Sequence, residues 1–290
     1  MISKPLSILH GDFGRVVLAS LTRSMACHAH RDCHVIVNMS PQTIVFGVNH
    51  QEYMLGSGKM LLVNAWEPHY YKHHSAHDAV TLLTFYFNPT WLKAIDKTFA
   101  LSGHPRFFSR PVWTPSATIS QLFEDVIESL PLAVAKSILH AEDCLTPLLT
   151  TLCCNIMALV EPPTKLIPAG MFGEWGFDAR IRAVVEKAIS SRNALVTVAD
   201  LLAATTLSRA QFFRLFGRST GLAPATFLNM LKMEHCLQQL TLGDTPIQDI
   251  AEQAGYYPVG NFTRFFINQQ GVSPSAYRKM FFNLNLTSDP

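Results

Sequence analysis

The sequence predicts an α+β protein in two successive parts, a β-barrel or jelly-roll half followed by an all-α half. Three observations point to it. Short apolar segments separated by turn signals fill residues 16–87, apolar residues recur at three- and four-residue steps from Ser116 onward, and a breaker-rich stretch divides the chain at residues 161–176. At 290 residues the chain is about twice the length of a usual single domain, which suits two separate cores.

In the first half the segments Val16–Leu21, Val35–Met39, Thr43–Val48, Met60–Val63 and Val80–Phe87 are broken by Ser40-Pro41, Asn49-His50 and Gly56-Ser57-Gly58. Several short strands at this spacing suit a sandwich or barrel. Ile119, Leu122, Phe123, Val126, Ile127 and Leu130, then Leu145, Leu148, Leu149, Leu152 and Ile156, mark two amphipathic helices trailing the barrel. Pro162, Pro163, Pro168, Gly170, Gly173 and Gly176 deny the next stretch any period, so it reads as a linker. The expected division is a first domain over 1–160, a linker over 161–176, a helical domain over 177–283 and a tail over 284–290.

Hydrophobic content of 48% against 15% charged residues excludes a disordered or tail-like chain. Without a run of eighteen apolar residues or a basic-then-apolar start, a cytoplasmic protein with no membrane partner is expected. Six cysteines without a CxxC pair agree with a reducing compartment. The net charge of +2 hides an asymmetry: Asp178–Asn283 holds eleven Lys and Arg against seven Asp and Glu, the rest twelve against fourteen. A basic excess confined to one half is a modest form of the footprint of a nucleic-acid-binding domain.

The helical half carries its own punctuation. Thr197-Val-Ala-Asp200 and Ser208-Arg-Ala-Gln211 read as capping boxes, with Val198, Leu201, Phe212, Leu215 and Phe216 inward. Thr220-Gly221 closes the second of these helices, and Pro224 opens a longer one with Phe227, Met230, Met233, Leu237 and Leu240 along one side. About fifty residues later the pattern repeats. Thr245 is expected to cap a helix with Pro246 at its first position and Gln248 completing a box, Gly255 to end it, and Phe262, Phe265 and Phe266 to face inward from the next. Two short helices about a tight turn, with a polar and basic outer face on the second, form a helix-turn-helix, and the chain holds two.

The run Ile247, Ile250-Ala251, Gly255-Tyr256, Phe262, Arg264, Phe266, Gly271, Ser273-Pro274 and Tyr277-Arg278 resembles the signature of the AraC/XylS family of transcription regulators, over about Asp178 to Arg278. The resemblance implies a linker helix joining two recognition helices, Ser208–Ser219 and Pro258–Gln269, that enter successive major-groove segments. It places Ser208, Arg209, Ala210, Gln211, Phe213, Arg214 and Arg218 of the first unit, and Val259, Gly260, Asn261, Thr263 and Arg264 of the second, at the DNA. The first unit departs from the pattern at Leu202, Thr206 and Gly217, where the family often has a small residue, a turn glycine and a basic residue.

Eight of the twelve histidines fall between His28 and His77. His28-x-His30 with His34, then Gly58 and His69, resembles the two motif regions of the cupin barrel, in whose metal-binding members such residues converge on one ion; His34 stands where those usually have Glu. Alternation along one strand would put His28 and His30 on one face. Regulators of the AraC type commonly carry a cupin-like domain without metal. His28, His30, His34 and His69 are therefore expected to line an effector pocket, with no metal, no cofactor and no catalytic residue. The expected function is a sequence-specific transcription regulator and not an enzyme. Its expected partners are double-stranded DNA, a small-molecule effector, RNA polymerase and a second copy of the chain, the last through the helices after Ser116. The alternative is a metal-dependent cupin enzyme or metal sensor fused to a DNA-binding domain.

Overall fold

The computed structural model describes residues 3–49, 51–74, 78–96, 99, 102, 107–135, 138–159, 178–191, 195–241 and 244–283. The linker at 161–176, the tail at 284–290 and His77 lie outside the described residues. Strands β1 (Lys4–Gly11), β2 (Gly14–Leu21), β3 (Met25–His28), β4 (Cys33–Asn38), β5 (Ile44–Val48), β6 (Gln51–Leu55), β7 (Met60–Val63), β8 (His69–Lys72), β9 (Val80–Phe87) and β10 (Val112–Trp113) build the first half, with β11 (Phe281–Asn283) returning to it late. They form a large sheet in the order β10-β7-β4-β9-β2-β1-β11 and a small one in the order β3-β8-β5-β6.

Both faces of the large sheet are covered, which explains why β4 is buried at every position. Alternate residues separate the two sides. Val35, Val37, Leu83, Phe85 and Phe87 join a core with the helices α2 (Ala117–Ala135) and α3 (Ile138–Leu159), while Ile36, Val80 and Leu82 pack with Phe46 and Tyr71 between the sheets. A helix α1 of about two turns (Pro89–Ile95), capped by Asn88, closes the end of β9.

The helical half runs α4 (Ala179–Ser190), α5 (Val198–Ala203), α6 (Arg209–Thr220), α7 (Pro224–Thr241), α8 (Ile247–Gln253), α9 (Val259–Gln270) and α10 (Pro274–Met280). The first unit and the N-terminal part of α7 share one core around Phe212, Phe216 and Phe227; the second unit shares another with the C-terminal part of α7 around Phe262, Phe266 and Tyr277.

Three expectations need correction. The second half is not wholly helical: β11 pairs in parallel with β1, Ile8 opposite Phe281 and His10 opposite Asn283, and so covers an edge that would otherwise present unpaired backbone groups. Thr245 does not cap α8. Pro246 takes the cap position and α8 has no side-chain cap, while the Thr245 carbonyl accepts from the Arg278 guanidinium at 2.7 Å. His28 and His30 do not alternate along one strand, because β3 ends at His28 and His30 lies in the loop that follows.

The two halves are joined by buried contacts. Ile8 of β1 lies in the core of the second helix-turn-helix unit, and Ala29 in that of the first. At the end of α9, Gly271 is left-handed with φ 75°, a backbone that favours glycine, and a Cβ there would stand 2.7 Å from a terminal methyl of Leu21 of β2 and push that side chain aside.

Candidate nucleic-acid interface and barrel histidine cluster

The recognition helices are placed by their caps and their aromatic faces. Ser208 caps α6 through a reciprocal box with Gln211, and Phe212 and Phe216 are buried beneath it. What remains on the other face is the predicted set: Ser208, Arg209, Ala210, Gln211, Phe213, Arg214 and Arg218 are all exposed. Phe213 is 39% exposed with the Arg209 guanidinium 5.3 Å from its ring centre. An apolar ring left in solvent on a polar face is available to a base edge.

In the second unit Pro258 precedes α9, Phe262 and Phe266 turn inward, and Val259, Gly260, Asn261 and Arg264 are exposed, with Thr263 partly covered. Asn261 donates to the Tyr257 carbonyl at 3.1 Å, fixing the first turn. Tyr257, 84% exposed just before α9, was missed by the sequence reading, which looked only inside the helix. Among the described residues, Arg214, Arg218 and Arg264 make no ion pair, so their charge is free for phosphate or base contacts.

The four barrel histidines do converge. His28 ends β3, His30 follows it, His34 lies in β4 and His69 opens β8 opposite His28. Every one is at most 7% exposed, and ring centres stand 4.3 Å apart for His28 and His69, 4.6 Å for His34 and His69, and 5.4 Å for His30 and His69. Burial in a low-dielectric interior holds all four imidazoles below their usual range, His28 to about 4 and His34 to about 3, so the rings are neutral at pH 7.

Beside them Tyr86 stacks on His34 at 5.0 Å and carries the Arg15 guanidinium 3.9 Å from its ring centre. Arg15, buried, donates to the Tyr277 hydroxyl of α10 at 3.0 Å, and the same hydroxyl meets His10 Nε2 at 2.9 Å. No local sequence pattern marks Arg15 or Tyr86 for this role, since their partners come from other elements. The cavity between barrel and second unit, lined by Ile36, Phe46, His69, Tyr86, Gln269 and Tyr277 among others, measures about 40 Å³. That is an order of magnitude below the roughly 300–1,000 Å³ of small-molecule pockets.

Known proteins share both halves. Residues 21–149 match the family model of the AraC-like ligand binding domain and residues 201–280 that of the helix-turn-helix domain. The raffinose operon transcriptional regulatory protein RafR of Pediococcus pentosaceus is 34% identical over 83 residues, 29% of this chain and 30% of that protein. The RCS-specific HTH-type transcriptional activator RclR of Escherichia coli is 29% identical over 100 residues, 34% of this chain and 35% of that protein. The aligned stretch is thus about a third of each relative. Among solved structures, ToxT from Vibrio cholerae O395 superposes with a TM-score of 0.55 at 14% identity, covering 94% of this chain and 98% of that one, and its unsaturated-fatty-acid-bound form gives 0.55 at 14%, covering 97% and 98%. These two superpositions show a shared fold. With a ligand-binding half and a helix-turn-helix half in this order, the chain belongs to the AraC/XylS family of transcription regulators.

Proposed function

We propose that the chain is a sequence-specific DNA-binding transcription regulator, and not an enzyme, whose two recognition helices α6 and α9 read successive major-groove segments under the control of an effector bound in the barrel. The observation that carries this reading is the division of each recognition helix into a buried aromatic face and an exposed polar face that holds unpaired arginines. The residues assigned to DNA are those predicted, Ser208 to Arg218 and Val259 to Arg264, with Tyr257 added. Effector control is supported by the barrel-to-helix contacts, because any change in the barrel reaches both units directly. One related structure, ToxT, is bound by an unsaturated fatty acid, which makes a small organic ligand one class of effector for such a fold.

Domain limits of 1–160 and 177–283, a homodimer through α2 and α3, a contact with RNA polymerase and a cytoplasmic site of action complete the reading. Among the described residues no helix is long and apolar enough to cross a membrane. The test is genomic mapping of sites bound by the full chain, followed by titration of a recovered duplex. A regulator gives discrete sites and an affinity that falls steeply with salt, because phosphate contacts release counterions. Uniform weak binding to any duplex, or none, would sink it.

A further inference from the structure

The four buried histidines are unequally supplied with hydrogen-bond partners. Nδ1 of His28 faces the Ala26 carbonyl at 2.7 Å, Nδ1 of His69 that of Glu67 at 2.9 Å, and Nδ1 of His34 that of Asp32 at 3.3 Å. A carbonyl oxygen only accepts, so Nδ1 of His28 and of His69 carries the ring proton and the Nε2 of each is left as an acceptor. His34 Nε2 lies 3.2 Å from His69 Nε2, and His30 Nε2 is buried with no partner.

Donor nitrogens of His28, His30 and His69 all lie within 4.8 Å of one another. Two nitrogens that each sit about 2.0–2.1 Å from a tetrahedral ion are separated by about 3.3 Å, under the 4.8 Å that bounds this set. Imidazoles that donate through Nδ1 to backbone carbonyls have the outer hydrogen bonds expected of metal ligands, fixing tautomer and ring plane before the ion arrives. The donor set contains neither carboxylate nor thiolate, which disfavours calcium and magnesium and suits borderline divalent ions.

We propose that His28, His30 and His69 bind one divalent transition-metal ion of the zinc, nickel or copper type, with His34 set against His69 beside them, and that its occupancy sets the contact between the barrel and α7. The cavity at His69 is too small for an organic effector of ordinary size and large enough for an ion with a water in its open position. The segments that supply the ligands are also those that grip the DNA-binding half. Ala29, between two ligands, packs in the first unit's core. Arg31 reaches Glu234 of α7 through its backbone N–H at 3.3 Å and its guanidinium at 3.8 Å. Trp66 donates its backbone N–H to the His30 carbonyl at 2.7 Å and stacks on Phe227 of α7 at 5.9 Å. An ion that draws the three ligand rings together moves Ala29, Arg31 and Trp66, and the linker helix with them. Arg15 behind Tyr86 opposes a cation at the site, but it faces the Tyr277 hydroxyl, the Tyr86 ring and Asp32, which take up part of its charge.

The metal site stands apart from the regulator reading; the coupling rests on it. Chelator-stripped full-length protein is titrated with Co²⁺ as a spectroscopic probe and then competed with Zn²⁺. One equivalent per chain, with visible bands of a nitrogen-bound ion, is expected. His28→Gln and His69→Gln each weaken binding at least tenfold, while His74→Gln on the exposed loop leaves it unchanged. Binding of less than one equivalent, or equal binding by the His28→Gln/His69→Gln double variant, overturns the site. X-ray absorption on metal-loaded wild-type protein decides the matter even where a variant fails to fold: three or four imidazole nitrogens support the site, and a shell of oxygen or sulfur overturns it. Loaded and stripped protein are then compared on a duplex recovered by genomic mapping. A fivefold or larger change in affinity is expected; identical affinity overturns the coupling alone, and no DNA binding in either state overturns the regulator reading and the coupling while the metal site stands.

Discussion

The two helix-turn-helix units repeat one plan but are held in shape by opposite means. In the first, both helices start with reciprocal capping boxes, Thr197 with Asp200 and Ser208 with Gln211. Its turn lacks a left-handed glycine and is closed instead by Thr205, which donates to the Leu202 carbonyl at 2.9 Å and accepts from the Leu207 N–H at 3.3 Å. In the second, α8 and α9 have no side-chain cap, the turn relies on Gly255 at φ 78°, and the unit leans on the barrel through Ile8, Tyr277 and Gly271. Local hydrogen bonds shape the first unit and distant contacts shape the second. A change in the barrel should therefore move the second unit's fold and the first unit's placement.

The strongest way to break this contrast is Tyr277→Ala. It empties a fully buried ring site and strips Arg15 of its acceptor, and should cost about 3–5 kcal/mol by denaturant titration. Hydrogen exchange should show α8 to α10 losing protection while α5 and α6 keep theirs; equal loss in both units would refute separate anchoring. Next in size are Arg214→Ala and Arg264→Ala, one from each unit. Each should weaken a specific site by about 1–3 kcal/mol with the melting temperature unchanged, since both are exposed. Losses that are the same on random duplex would reassign them to phosphate contacts.

Smaller effects sharpen the comparison. Ser208→Ala removes a cap that the second unit does not possess and should cost about 1 kcal/mol, seen as early fraying of α6 alone. Gly217→Ala runs the other way. A Cβ there meets nothing nearer than the Leu222 carbonyl oxygen at 4.0 Å, so the helix should gain about 0.5–1 kcal/mol. If thermal stability rises while DNA affinity falls, the glycine is kept for close approach to the duplex.

Much of this was legible in the sequence wherever the signal is local. Met60–Val63 and Val80–Phe87 are strands as read, because buried apolar runs between turn residues leave few alternatives. Strands β1, β6, β8, β10 and β11 were not read. Gln51-Glu-Tyr-Met-Leu55 is an edge strand mostly open to solvent, and His69-Tyr-Tyr-Lys72 is too short and polar to stand out. The exposed sets on α6 and α9 followed from caps and aromatic spacing, and the histidines from their motif. What stayed hidden was every contact between the halves. Ala29, Trp66, Arg15 and Tyr277 carry no periodic signal, since the partner that defines each is far away in the chain.

The return of β11 to β1 gives the protein an order of assembly. During synthesis β1 emerges before the other described elements, yet its outer edge is closed only by β11, made after all of them, with His10 and Tyr277 lying 267 positions apart. Until then a growing chain shows an open strand edge beside the buried-to-be Arg15, a surface prone to pairing with neighbouring chains. Contacts of such separation are slow to form. Completion of the first strand's environment thus reports that the second reading head has been made and docked, and a chain interrupted before α10 would be left with a recognisable exposed edge.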